Sequence, residues 1–155
     1  MRGTVRCRRI ATLVGVLGCV GVACGVGPPP PPISQASLVA KWANDEGVRI
    51  DFAGDHTLRG VGLDHAPGAE PGSCPAATKG HWEFFGPMND SGSSFTDESL
   101  TRGGMIAVDG KDDMCTFIAV TRKDGQVFTL CLAQDPEPVC THDETLHRSR
   151  PARSR

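Results

Sequence analysis

The chain has 155 residues, enough for one domain, and its 19 glycines and 12 prolines indicate many turns. Aromatic residues make up 5% of the sequence, tyrosine is absent, and the formal net charge is −2. These features exclude a multidomain enzyme, a polytopic membrane protein and a coiled coil.

The N-terminal segment has the pattern of an export signal. Four arginines and no acidic residue lie within residues 1–9, and residues 10–26 carry no charge. A basic start followed by a short apolar run is typical of a signal peptide. The run is shorter than the roughly 20 apolar residues that a spanning helix needs, and its glycines weaken a helix further. We therefore expect a cleaved signal rather than a retained membrane span.

Two cysteines near the end of the apolar run resemble the lipidation site of bacterial lipoproteins. Cys19 and Cys24 each follow a small residue. In that family the signal is cleaved directly before the cysteine, which is lipidated on its sulfur. Cys19 has the expected aliphatic residue three positions earlier, whereas Cys24 follows the longer apolar run and precedes a glycine. We favour Cys24, with Cys19 as the alternative.

The resemblance implies a small bacterial envelope lipoprotein on the extracytoplasmic side of the cell membrane, held there by palmitate-type acyl chains. Residues 1–23 are then the signal peptide, and residues 24–36 are the lipidated cysteine with a proline-rich tether. Residues 28–32 are five prolines, which favour a semi-rigid extended spacer. Residues 37–147 are expected to form the domain, and residues 148–155 a basic, disordered tail.

The predicted domain is acidic. Residues 37–147 carry all eighteen acidic side chains but only eight basic ones, a formal charge of −10. Nucleic acid is therefore not expected as a partner, because its affinity depends on neutralising phosphates. The four arginines of the tail could contact anionic lipid.

Alternating and β-branched segments predict an all-β fold: a small antiparallel meander, barrel or sandwich with two disulfides. The polar segment 86–99 is expected to be an exposed loop. Thr141 and Glu144 have capping-box spacing, which predicts at most a short C-terminal helix. The predicted strands, in chain order, are 48–52, 57–63, 81–85, 105–108, 115–122 and 127–132.

Four cysteines in the domain predict the two disulfides, because an even count is typical of exported domains. Asp124-Gly125 is a hairpin signal, and a turn centred there places Phe117 opposite Leu132. Cys115 and Cys131 then point to opposite faces and should not pair. Two connectivities remain: Cys131–Cys140 with Cys74–Cys115, or Cys74–Cys131 with Cys115–Cys140. We favour the first, because the short segment between Cys131 and Cys140 forms a natural closed loop.

The Gly80-His81-Trp82 segment is similar to the Gly-x-Trp strand that opens lipocalin-like barrels, and Ala40-Lys41-Trp42 repeats it with alanine in place of glycine. A lipocalin-like cavity would imply an apolar ligand. Six phenylalanines and two tryptophans, however, hardly suffice to line a large pocket after filling a core.

No residue spacing predicts catalysis, and we expect no catalytic residue, no metal site and no cofactor. Phe85 and Met88 could form a weak partner-binding patch at a strand end. The sequence therefore predicts a lipid-anchored, exported binding or structural module of the cell envelope, acting on an unknown envelope protein or small ligand. The alternatives are a carrier of small apolar ligands with a lipocalin-like cavity, or an envelope hydrolase.

Overall fold

A computed structural model describes residues 28–67, 69, 72, 74–87, 93–111, 115–134 and 140–149. Cys19, Cys24 and Met88 lie outside these residues. None of the helices in the described part of the chain has the length and apolar character needed to cross a membrane. The elements are β1 Ile33–Ser34, α1 Gln35–Leu38, β2 Lys41–Ala43, β3 Arg49–Phe52, β4 Thr57–Val61, a 3₁₀ turn Leu63–His65, β5 Ala77–Phe85, β6 Thr96–Asp97, β7 Arg102–Gly103, β8 Met105–Gly110, β9 Thr116–Asp124, β10 Val127–Ala133 and β11 Leu146–Arg148.

Eight strands form a closed antiparallel barrel, which confirms the predicted all-β class. Neighbours follow chain order, β2-β3-β4-β5-β8-β9-β10-β11. The last strand then closes on the first, with His147 opposite Ala43 and Arg148 opposite Trp42. Strands β6 and β7 lie in the long connection between β5 and β8, where β6 extends the edge of β5 and β7 pairs with β1.

Alternation along the strands determines which side chains enter the barrel. On β3 and β4, for example, Ile50, Phe52 and Leu58 are buried while their neighbours face outward. The barrel interior is filled by the largest of these side chains, as an eight-stranded barrel allows. Five aromatic residues are each less than 2% exposed: Trp42, Phe52, Trp82, Phe84 and Phe117.

The barrel end formed by the start of β2 and the end of β11, called the covered end, is occupied by residues 33–40. Ile33 and Leu38 are fully buried in the barrel core. Leu38 accepts a hydrogen bond at its carbonyl from Trp42 Nε1, at 2.8 Å. Residues 33–36, which the sequence assigned to the tether, therefore belong to the folded unit. The fold also continues to Arg148 in β11, which the sequence assigned to the tail.

The opposite end of the barrel, called the disulfide end, carries both disulfides, and the predicted pair of bonds is confirmed. Cys74 bonds Cys115 with a Cα–Cα distance of 5.0 Å, and Cys131 bonds Cys140 at 5.7 Å. This is the connectivity that the sequence favoured. The first bond joins the β4–β5 connection to the start of β9, and the second closes the β10–β11 connection.

The β9–β10 hairpin differs in register from the prediction. Asp124 pairs with Val127, so Gly125 and Gln126 form the turn, and Ala119 rather than Phe117 lies opposite Leu132. Gly125 has a φ of 57°, the pattern of a type II′ turn with glycine at its first central position. The shift is two residues, a full period of a strand, so each side chain keeps its predicted face.

One further prediction is corrected in detail, and the prediction of at most a short C-terminal helix is confirmed. Segment 86–99 is not entirely loop, because it contains β6. The predicted capping box forms, since the Thr141 N–H donates to Glu144 Oε2 at 2.7 Å, but it stabilises a single turn instead of a helix. A longer helix has no room because β11 begins at Leu146.

Candidate functional site

The predicted partner-binding residue Phe85 lies half-buried at the end of β5. It lines a surface groove of about 280 Å³ together with Pro29 and Pro30 from the proline run, and with Leu100 and Met105. One side of the predicted patch is therefore occupied by the protein's own N-terminal segment.

A second surface, which the sequence analysis did not identify, lies on the outer side of β2 to β5. Register places Lys41 opposite Asp51, Asp51 opposite Arg59, and Arg59 opposite Lys79. Arg49 lies two residues from Asp51 on β3, so it faces outward as well. We call Lys41, Arg49, Arg59 and Lys79 the basic face.

The basic face is unusual for this domain because it concentrates positive charge on a domain that carries mostly negative charge. It holds half of the eight basic residues in segment 37–147, but of the eighteen acidic ones only Asp51 lies between its cations. Among the described residues, none of these four cations forms an ion pair. These four cations, unpaired within the described part of the chain, create a local positive potential on a segment, 37–147, that is otherwise acidic.

The basic face contains a concave groove of about 450 Å³. Its polar lining includes Lys41, Arg49 and Arg59. The side chain of Val61, which is 46% exposed, adds an apolar surface to the groove. Ser149 borders the groove, and its N–H donates to the carbonyl of Lys41 at 2.7 Å. The chain thus reaches this groove directly before the arginine-rich segment 150–155.

A third cluster lies at the β5–β6 junction and was also missed. His81 and Glu83 both lie on the outer face of β5, on either side of the buried Trp82. Glu98 approaches them from the turn after β6. His81 Nε2 is 3.4 Å from Glu83 Oε1 and 3.2 Å from Glu98 Oε1. The His-x-Glu spacing on a predicted strand was the signal that could have drawn attention to this pair.

Hydrogen bonds in two turns lower the pKa of aspartates. The Asp55 carboxylate accepts from Thr57 Oγ1 at 2.6 Å and from the Thr57 N–H at 3.1 Å, which lowers its pKa. The pKa of Asp97 is lowered in the same way, by its hydrogen bond with Ser99. Both aspartates stabilise turns at the covered end of the barrel.

Two other described histidines, His65 and His142, lie on the surface beside aspartates. His65 lies 3.8 Å from the neighbouring Asp64, and His142 lies 3.5 Å from Asp143.

The chain matches no protein-family model, and no curated protein or solved structure shows significant similarity to it. The basic face and the His81 cluster are therefore the features from which a function is inferred.

Proposed function

We propose that the protein is a lipid-anchored, non-catalytic module on the extracytoplasmic side of the cell membrane that binds phosphate-bearing ligands through its basic face. The observation that carries the binding role is a set of four cations on an acidic domain, Lys41, Arg49, Arg59 and Lys79, which form no ion pair with the described residues. An arginine guanidinium offers a fork of donors that matches phosphate oxygens.

The size of the groove supports a compact ligand. Its volume of about 450 Å³ fits a phosphate ester or a lipid headgroup. A long polyanion such as duplex DNA would extend beyond the basic face and meet the acidic surroundings, which repel it.

The filled barrel supports surface binding over a lipocalin-like carrier role. Phe52 and Phe84 contact Trp82 edge to face, with ring centroids 5.9 and 5.4 Å apart. These rings occupy the interior positions that a carrier would keep open for an apolar ligand. The N-terminal sequence supports the anchor, since it has the basic segment, the apolar run and Cys24.

Intact mass of the membrane-extracted protein tests the anchor. We expect a mass that corresponds to cleavage before Cys24 with added acyl chains, and four domain thiols that react only after reduction. A mass without acyl chains would contradict the anchor, and it would leave the basic face to be tested separately.

Binding is tested on the detergent-extracted protein with glycerol phosphate, and separately with phosphatidylcholine bicelles that contain or lack phosphatidylglycerol. The variant R49Q/R59Q should weaken phosphate binding at least about tenfold. R102Q/K123Q removes the same charge from β7 and from the β9–β10 hairpin, away from the basic face, and should have little effect. Response to glycerol phosphate identifies a soluble ester as sufficient, and response only to phosphatidylglycerol identifies a lipid headgroup. Equal losses in both variants, or no binding of either probe, would contradict the proposal.

A further inference from the structure

We propose that His81, Glu83 and Glu98 bind a divalent transition-metal ion of the zinc class. The three side chains present one nitrogen and two carboxylate oxygens, and these donor atoms all lie within 4.8 Å of one another. Imidazole nitrogen and carboxylate oxygen are both ordinary ligands of zinc. This inference does not depend on the basic face, which lies on other strands apart from Lys79.

The distances between donor atoms match a shared ion. Two ligands held at about 2.1 Å from a tetrahedral zinc ion lie about 3.4 Å from each other. His81 Nε2 lies 3.2 Å from Glu98 Oε1 and 3.4 Å from Glu83 Oε1. The nitrogen is therefore at ligand-to-ligand distance from both carboxylates at once.

The environment of His81 Nε2 argues against an ordinary hydrogen-bonded ion pair. A charge-assisted N–H···O bond is about 2.8 Å long and well aligned. Nε2 is buried from solvent, yet it makes no hydrogen bond with any described residue, although the His81 side chain as a whole is 40% exposed. A buried nitrogen that faces two carboxylates without a bond of its own is satisfied by a cation placed between them.

The ligand set discriminates among metals. Calcium and magnesium prefer oxygen ligands, and calcium takes six to eight of them, so the imidazole nitrogen favours a transition metal. Three protein ligands leave a coordination position for water or for a ligand from a partner. Glu98 is the most accessible of the three, with its side chain 70% exposed.

Neighbouring contacts hold the ligands in place. The Ser99 N–H donates to Asp97 Oδ1 at 2.7 Å, which fixes the turn that carries Glu98. Pairing of Phe84 with Asp97 and of Phe85 with Thr96 attaches this turn to β5. A bound ion would therefore tie the β5–β8 connection to the barrel wall.

The test is titration of Zn²⁺ into the detergent-extracted protein after dialysis against a chelator. We expect one ion per chain with a Kd of about 10 µM or lower. Zinc should also raise the midpoint of thermal unfolding by at least about 5 °C at saturation. Co²⁺ in the same site should give the visible absorption of a four-coordinate ion.

Three variants locate the site. H81Q, E83Q and E98Q should each weaken Zn²⁺ binding at least about tenfold. E98Q decides the outcome if H81Q fails to fold, because Glu98 lies on an exposed turn. H142Q removes an exposed histidine beside Asp143 and should bind Zn²⁺ as the unaltered protein does. Binding that survives E98Q and H81Q unchanged, or no binding at 10 times the expected Kd, would overturn the proposal.

Discussion

The imidazole ring of His56 lies nearly parallel to the indole of Trp82, with centroids 4.4 Å apart and an interplanar angle of 18°. The same two residues share a backbone hydrogen bond, in which the Trp82 N–H donates to the His56 carbonyl at 2.9 Å. Trp82 Nε1 also donates to the carbonyl of Ala53 at 3.0 Å. A residue from β5 thus holds the whole β3–β4 turn, and His56 keeps its place there with a φ of 65°.

The first prediction concerns His56. H56A removes the ring stack and the polar contacts of the imidazole with the Trp82 carbonyl and Gln35 but keeps the left-handed backbone, so it should lower the free energy of unfolding by about 1–2 kcal/mol. H56G removes the same stack but suits the positive φ, so it should be more stable than H56A. Urea unfolding measures both, with the exposed His65→Ala as control. An H56A variant as stable as the unaltered protein would show that the imidazole's stack and polar contacts contribute nothing.

The second prediction concerns Gly80, the glycine of the Gly-x-Trp segment. A Cβ at this position would lie 1.9 Å from the Asp109 carbonyl oxygen on β8. G80A should therefore disturb the β5–β8 pairing and lower the free energy of unfolding by about 3 kcal/mol. G54A is the matched control, because a Cβ at Gly54 meets no atom of the described residues within 4 Å. Similar stability of the two variants would contradict this explanation of the glycine.

The third prediction separates the two disulfides by loop length. Cys74–Cys115 closes 41 residues and Cys131–Cys140 closes 9. On the chain-entropy account, their removal should cost about 4 and about 2.5 kcal/mol, respectively. Paired Cys→Ala variants can be compared by guanidinium unfolding. An equal or larger loss from removing Cys131–Cys140 would go against that account.

The fourth prediction tests the N-terminal boundary of the fold. Ile33 is fully buried, so I33A should lower the free energy of unfolding by about 3 kcal/mol. V61A shortens a side chain that is 46% exposed, and it should change the free energy of unfolding by about 0.5 kcal/mol or less. A chain beginning at residue 37 should likewise be less stable than one beginning at residue 28. Equal stabilities would restore residues 33–36 to the tether.

The fifth prediction is a pH dependence. The pKa of Asp55 is lowered from its ordinary value of 3.8 in the folded state, chiefly by the Thr57 hydroxyl. Its contribution to stability is therefore present above pH 3.8 and is lost as the pH falls through the lower, folded value. D55N should be less stable than the unaltered protein at pH 7 and pH 5, with the difference shrinking in more acidic solution. D45N, which removes an exposed carboxylate, serves as the control. A difference that stays constant down to acid unfolding would exclude this linkage.

Much of the barrel could be predicted because period-2 alternation records which face of each strand is buried. The hairpin turn was misplaced by one residue, which shifts the strand pairing by two, since Asp124-Gly125 and Gly125-Gln126 both satisfy turn chemistry. Burial of Ile33 could not be predicted, because it depends on β7, some seventy residues later in the chain. No local pattern records such a contact.

Both candidate sites depend on spatial relationships that sequence spacing does not contain. The cations of the basic face lie on predicted strands, but only the register brings Lys41, Asp51 and Arg59 into one row. His81 and Glu83 share a strand face by alternation alone. Glu98, in contrast, reaches them only because β6 folds back along the end of β5.

The seam between β2 and β11 has a mechanical consequence. Lys41 begins β2 and Ser149 follows β11 at the same end of the barrel, where their backbones share a hydrogen bond. Tension applied between Lys41 and Ser149 would load the hydrogen bonds between β2 and β11 one at a time, so that they break in sequence. Tension between residue 41 and the disulfide end would instead pull along the strands and load many hydrogen bonds in shear. The barrel should therefore resist tension between residue 41 and the disulfide end more strongly than tension between Lys41 and Ser149.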